Sequence, residues 1–195
     1  MIQMVYRGRI NNDLVVRLQN LGCNAVGLSG ADGRLWSAER KEAIRVVENG
    51  RKFLLRDDFT GKVVRVNVDL LRLLLANGYR PVLTLPALAT DGSPVNVDGD
   101  RAAAAVAAAL GAEKLVILSN VPGLLRDVND PSSLIRAIPK ADLQSGQSVA
   151  LDRMKKKLLG AEEALAGGVA QVVLGTANHA TPVQHALAGN GTVIA

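Results

Sequence analysis

Residues 101–123 read RAAAAVAAALGAEKLVILSNVPG, and the order of patterns inside them decides the class of fold. Arg101–Leu110 is an alanine-rich run with high helix propensity, whereas Leu115–Leu118 is a continuous apolar run that reads as a buried strand. The same alternation extends in both directions. Upstream, Val63–Val66 reads as a strand, Val68–Ala76 as a helix capped by Asn67, and Pro81–Leu85 as a strand. Downstream, Val149–Ala166 reads as a longer helix and Gln171–Leu174 as a strand. Thr181-Pro182 then opens a last helix as cap and first turn, and Asn190-Gly191 turns the chain into Thr192–Ile194. Strands of Val, Ile and Leu separated by helices predict an α/β fold with a mostly parallel central sheet sandwiched by helices.

The amino-terminal part follows other rhythms. Met1–Leu21 places Met1, Val5, Leu14 and Leu18 on a helical pattern, and Gly22 suits the left-handed residue that ends a helix. A helix that carries Ile2, Met4 and Val5 at the very start points to absent preceding residues or to packing on a partner subunit. Asn24–Ser29 reads as a short buried strand and Gly30–Gly33 as a turn. Ile44–Glu48 and Arg51–Leu55 flank Asn49-Gly50, the pair that tolerates the two positive φ angles of a type I′ hairpin turn.

With 195 residues, 48% of them hydrophobic, the chain has enough apolar material for one substantial core, so a single domain spanning 1–195 is expected. Lys and Arg exceed Asp and Glu to give a formal charge of +5, a balance that favours acidic partners. One cysteine, Cys23, excludes an internal disulfide and a zinc-site spacing, and His179 and His185 have no ligand cluster around them. No P-loop is present. The N-terminus lacks a secretory pattern and no apolar run has spanning length, so a cytoplasmic protein with neither membrane nor nucleic-acid partner is expected.

Ligands of open α/β sheets collect beyond the carboxyl ends of the strands, which directs attention to three segments. Asn96-Val97-Asp98-Gly99-Asp100 puts an amide and two carboxylates at alternate positions; if extended, all three share one face, and the alternative is a turn followed by helix capping. Ser119-Asn120-Val121-Pro122-Gly123 follows a strand and offers hydroxyl, amide and backbone groups to a nucleotide, or is a plain connection. In Met154-Lys155-Lys156-Lys157, a buried stripe of Leu151, Met154, Leu158, Ala161 and Leu165 directs Lys156 to solvent. Lys155 and Lys157 fall on the two borders of that stripe, and periodicity does not choose between them.

These segments, with Val26–Gly33, Gly78–Leu83 and Leu118–Leu125, resemble in their order the amino-acid kinase family. The likeness is to N-acetylglutamate kinase and to the branch that phosphorylates aminoadipate or glutamate carried on an acidic amino-group carrier protein. The resemblance implies a carbamate kinase-like fold in its carboxyl-terminal two-thirds, truncated at the amino terminus: the nucleotide-binding half and part of the substrate half. It implies Asn96 as the substrate-binding residue, Asp100 as organiser of the catalytic lysine, and Lys157 as that lysine. It implies nucleotide contacts from Ser119, Asn120, Val121, Pro122, Gly123 and Leu124. ATP would be the donor, with Mg2+ held through its phosphates and no metal site of the protein's own. The Asp-Gly-Asp version of the first segment resembles the carrier-dependent branch, which makes an acidic carrier protein the expected partner and a small acyl amino acid the alternative. Arg40, Lys41, Arg45, Arg51 and Lys52 would form the docking patch, and the helix over Met1–Leu21 would form a homodimer. The family's opening strand with lysine and paired glycines, its second glycine-rich turn and its substrate-gripping arginine have no counterpart in the sequence. The chain by itself is therefore expected to be a poor kinase, or a noncatalytic nucleotide-binding remnant.

Overall fold

The computed structural model describes residues 3–48, 51–55, 58–143 and 152–195. The chain divides into two compact units, residues 1–102 and 103–195.

The first unit begins with a π-helical segment, Met4–Asn11, that runs into α1, Asn12–Asn20. The helix stops where expected, with Gly22 at φ 78° in the left-handed region that glycine enters without strain. Asn11 is buried, and its carboxamide nitrogen donates to the Val82 carbonyl at 2.9 Å. A β-carbon on Gly27 would collide with that same carboxamide, so the strand beneath the helix must be bare at this point. Met4, Ile10, Leu14, Val16 and Leu21 are exposed.

β1, Ala25–Ser29, pairs in parallel with β6, Arg80–Thr84, in the register Ala25↔Arg80 to Ser29↔Thr84. Between them come β2, Trp36–Arg40; the hairpin β3, Ile44–Glu48, and β4, Arg51–Leu55; β5, Thr60–Val66; and α2, Val68–Ala76. The hairpin pairs Ile44 with Leu55 and Glu48 with Arg51, as the sequence predicts. Its Asn49-Gly50 turn and the side chains of Arg45, Arg51 and Lys52 lie outside the described residues. Asn67 caps α2 by accepting from the Leu70 amide at 3.3 Å.

A closed four-stranded barrel was not foreseen from the sequence. It consists of β2, β5, β7 (Ala87–Ala89) and β8 (Pro94–Val97) in the cyclic order β2-β5-β8-β7. One face of each strand is buried: Trp36 and Ala38, Gly61 and Val63, Ala87 and Ala89, Val95 and Val97. So small a barrel leaves little interior space. A β-carbon on Gly61 would strike the Glu39 carbonyl and lie 2.5 Å from Val95 Cγ1. Apart from Trp36, the buried positions of these strands are Gly, Ala and Val.

Around the end of β1, Asp32 binds three donors. Its Oδ2 accepts from the Ser29 amide at 2.7 Å and the Ser29 hydroxyl at 2.9 Å, and its Oδ1 pairs with Arg7 at 3.0 Å. Burial acts to raise the Asp32 carboxyl, but the Ser29 bonds and the Arg7 charge outweigh it and hold the group below the ordinary 3.8.

α3, Gly99–Leu110, leads into the second unit, whose sheet has the order β10-β12-β11-β9. Its strands are β9 (Lys114–Ser119), β10 (Ala137–Ile138), β11 (Gln171–Thr176) and β12 (Thr192–Ile194). β9 and β11 are parallel, and β12 returns antiparallel to β11. Val172, Val173, Leu174 and Gly175 are all buried. Successive residues of a strand point to opposite faces, so both faces of β11 are covered. α4, Asp152–Ala166, contributes Leu158, Ala161, Ala164 and Leu165 to the core, with Ala104, Ala107, Ile117, Val172 and Ile194. The start of this helix, expected from Val149, and Leu151 lie outside the described residues. α5 spans Pro182–Leu187, and Thr181 precedes it without a side-chain capping bond.

One buried hydroxyl ties the long connection after β9 to this sheet. Thr192 is 0% exposed; its Oγ1 accepts from the Leu124 amide at 2.8 Å and donates to the Ile135 carbonyl at 2.7 Å. Gly123 lies so close that a β-carbon would come within 2.5 Å of that oxygen and 2.9 Å of the Thr192 amide nitrogen.

Two outcomes follow from these contacts. Thr192→Val keeps the shape but leaves a buried N–H and a buried C=O unpaired, at about 1–3 kcal/mol each. The expected fall in Tm is roughly 5–15 °C for a chain of this size; an unchanged melting curve would refute the tie. For Asp32, a folded-state value below the unfolded one means stability that is fully present above pH ~3.8 and lost as pH falls through the lowered value. Asp32→Asn should lower Tm at pH 7 and flatten the acid limb of a stability profile measured from pH 7 to 2.

Candidate functional site

In the first unit, the segment from Asn96 to Asp100 spans the junction of β8 and α3. Asn96 sits on β8 with its amide donating to the Phe59 carbonyl at 2.6 Å. Its neighbours Val95 and Val97 point into the barrel, so the half-buried Asn96 side chain stands on the other face of the strand. The strand ends at Val97, which corrects the expectation that three polar side chains share one extended face. Asp98 is a helix cap: its Oδ1 accepts from the Arg101 amide at 3.2 Å and its carbonyl from the Ala102 amide at 2.9 Å. Asp100 lies in the first turn of α3, where the helix macrodipole favours a carboxylate. The candidates therefore differ in kind: Asn96 offers an amide that can both donate and accept, Asp100 offers a negative charge, and Asp98 holds the helix.

Of the basic patch expected from the sequence, the side chains of Arg40 and Lys41 are described. The Arg40 guanidinium lies 4.3 Å from the centre of the Phe59 ring, and its Nε donates to the Asp58 carbonyl at 2.9 Å. Lys41 is exposed.

In the second unit, β9 and β11 end side by side, Ser119 paired with Thr176. Beyond them the two loops are clasped together. The Ala177 amide donates to the Ser119 carbonyl at 2.6 Å, and the Asn178 carboxamide donates to the Asn120 carbonyl at 3.4 Å. Ser119, Val121 and Pro122 are half-buried and Asn120 is exposed, whereas Gly123 and Leu124 are buried. The first four are at least partly accessible, whereas Gly123 and Leu124 attach the loop to Thr192. Thr176 and Asn178 join this rim and were not singled out from sequence. The available signal was their position at the carboxyl end of a strand parallel to β9.

On α4, Lys155 and Lys156 are exposed and Lys157 is half-buried beside the fully buried Leu158. Over the described residues the periodicity is as read, and of the two border lysines it is Lys157 that is half-buried. An ammonium so placed can lie along apolar surface while presenting its charge outward.

The donor set fits a nucleotide in its two parts. Hydroxyl, carboxamide and backbone groups on the rim after β9 and β11 suit a neutral base and sugar, and a lysine suits phosphate. Among the described residues, no group of three or more His, Cys, Asp and Glu could hold a metal ion. Among the same residues, no helix is long and apolar enough to cross a membrane.

Residues 1–176 match the model of the amino acid kinase family. The chain is 57% identical over 192 residues to a LysW-aminoadipate kinase of Deinococcus radiodurans, covering 98% of this chain and 66% of that protein. It is 50% identical to the LysW-aminoadipate kinase of Thermus thermophilus, covering 98% of this chain and 72% of that one. An acetylglutamate kinase of Methanopyrus kandleri is more distant, at 36% identity over 99% of this chain and 75% of that protein. Among solved structures, the N-acetylglutamate synthase of Neisseria gonorrhoeae superposes with a TM-score of 0.76 at 24% identity, over 96% of this chain and 41% of that one. The chain spans about two thirds of the length of its Deinococcus relative. The sheet order, the loops at the carboxyl strand ends and the match over residues 1–176 agree: this chain belongs to the amino acid kinase family.

Proposed function

We propose that the chain is part of an ATP-dependent kinase that phosphorylates the side-chain carboxylate of aminoadipate, or glutamate, linked to an acidic carrier protein in lysine or arginine biosynthesis. The observation that carries this reading is the 57% identity, over nearly the whole chain, to a relative named for that reaction. Asn96 would hold the substrate through its amide. Lys157 would place its ammonium against the phosphoryl group in transit, where negative charge develops on the oxygens and fixed positive charge lowers the barrier. Asp100 is the second residue to which the family resemblance gives a catalytic role. Ser119, Asn120, Val121 and Pro122 would bind base and sugar, with Gly123 and Leu124 fixing the loop that carries them. ATP would supply the phosphoryl group, and Mg2+ bound to its phosphates would offset their charge.

The net charge of +5 suits an acidic carrier, because complementary charge speeds encounter and selects partners. Arg40 and Lys41 beside the β3–β4 hairpin would form its landing surface. The exposed apolar side chains of Met4, Ile10, Leu14 and Val16 suit a homodimer contact. A cytoplasmic location agrees with the single cysteine and with this chemistry.

The second reading is an N-acetylglutamate kinase, favoured by the acetylglutamate kinases among the more distant relatives. The two separate in one assay. A form lengthened upstream by a strand-helix-strand unit is supplied with ATP, Mg2+ and either carrier-linked aminoadipate or free N-acetylglutamate. ADP release with the carrier-linked substrate alone is expected; release with N-acetylglutamate alone selects the second reading.

Lys157→Ala in the lengthened form should reduce turnover by at least about a hundredfold, in line with loss of a charge that stabilises the transition state. Turnover equal to the parent would reject the role of Lys157. Calorimetry on the 195-residue chain should show ATP binding with little or no phosphoryl transfer.

A further inference from the structure

The loop after β11 carries chemistry that the roles above leave unused. His179 lies in that loop and His185 on α5, and their rings stack with centroids 4.0 Å apart and planes inclined by 16°. Backbone groups hold the pair from both sides. The His179 Nδ1 accepts from the Thr181 amide at 3.1 Å, which places the proton of the neutral ring on Nε2. The His185 amide donates to the Thr181 carbonyl at 2.9 Å, and its own carbonyl accepts from the Asn190 amide and carboxamide, each at 3.2 Å. His185 is half-buried and His179 exposed. One face of the His179 ring is covered by His185, and the opposite face is left to solvent.

The position of this stack is set by the clasp between the two loops. Asn178 donates to the Asn120 carbonyl, and His179 is the next residue, so the ring is carried by the loop that is clasped to Ser119–Pro122. Thr176 to His185 contains no Lys, Arg, Asp or Glu, so no permanently charged side chain in this stretch favours a phosphate. A flat ring backed by a second ring, with carboxamides beside it, suits a nucleobase: its face stacks on an aromatic surface, and its polar edge needs groups that donate and accept. Fixing the platform beforehand spares the loss of side-chain freedom on binding.

We propose that the His179 ring, backed by His185, is the stacking platform for the base of the nucleotide bound at this rim, with Asn120 and Asn178 beside the base's polar edge. This deepens the nucleotide-binding reading of the loop after β9 and rests on it.

The test is calorimetric titration of the chain with ATP, using the parent, His179→Ala and His179→Phe. His179→Ala should weaken binding at least about fivefold, the lower end of what one base-aromatic contact contributes. His179→Phe, which keeps a ring face and loses the bond to Thr181, should stay within about twofold of the parent. Parent affinity in His179→Ala overturns the platform while leaving the nucleotide site standing. Equal loss in both variants also overturns it, because the effect then belongs to the Thr181 contact and not to the ring. Absence of ATP binding by the parent overturns the nucleotide reading of the loop, and the platform with it.

Discussion

The hydroxyl of Thr192 is the contact on which the candidate nucleotide loop depends. It sits on the first residue of β12, fully buried, and joins two segments far away in sequence through Leu124 and Ile135. A buried hydroxyl is favourable only when both its capacities are used, and here it donates once and accepts once. Gly123 makes the approach possible because no β-carbon stands between the loop and that strand. With Leu124 held, the loop leaves β9 at Ser119 and has only a few residues in which to turn. Its half-exposed residues are thereby placed next to the loop that follows β11. The candidate edge is in this way fixed from behind, by a buried side chain.

The α/β alternation, the hairpin pairing, the end of α1 and the start of α2 were legible because each rests on a local rule. Leu115–Leu118 and Val172–Leu174 are continuous apolar runs, and both lie in strands; Asn67 precedes the apolar rhythm of α2 and caps it. The barrel was not legible. Three of its four strands have five residues or fewer, one begins with Pro94, and apart from Trp36 their buried positions are Gly, Ala and Val, residues that carry little periodic signal. What defines it is closure between β2, β5, β7 and β8, pairings that no local window contains.

The candidate site was legible to a similar depth. Helical periodicity isolated Lys156 as a solvent-facing side chain and left two border lysines; the half-burial of Lys157 is a tertiary fact. The carboxylates of Asp98 and Asp100 look alike in sequence, yet the end of β8 after Val97 makes one a helix cap and puts the other within the first turn. Thr176 and Asn178 escaped notice because a strand end acquires its meaning only from the neighbour it lies beside, and the pairing of Ser119 with Thr176 is a matter of sheet order. Local chemistry named the residue types, and topology assigned their duties.

Asn11 shows how an interior polar group can govern an exterior surface. Its carboxamide is locked onto the Val82 carbonyl in a space kept clear by Gly27, which sets the rotation of the amino-terminal helical segment about its own axis. The Arg7–Asp32 ion pair and the bond from the Gln19 carboxamide to the Ala25 carbonyl hold the same rotation from neighbouring turns. The hydrophobic ridge turned outward is therefore indexed by an amide hidden on the reverse side, and whatever settles on the ridge meets its side chains at angles dictated from underneath.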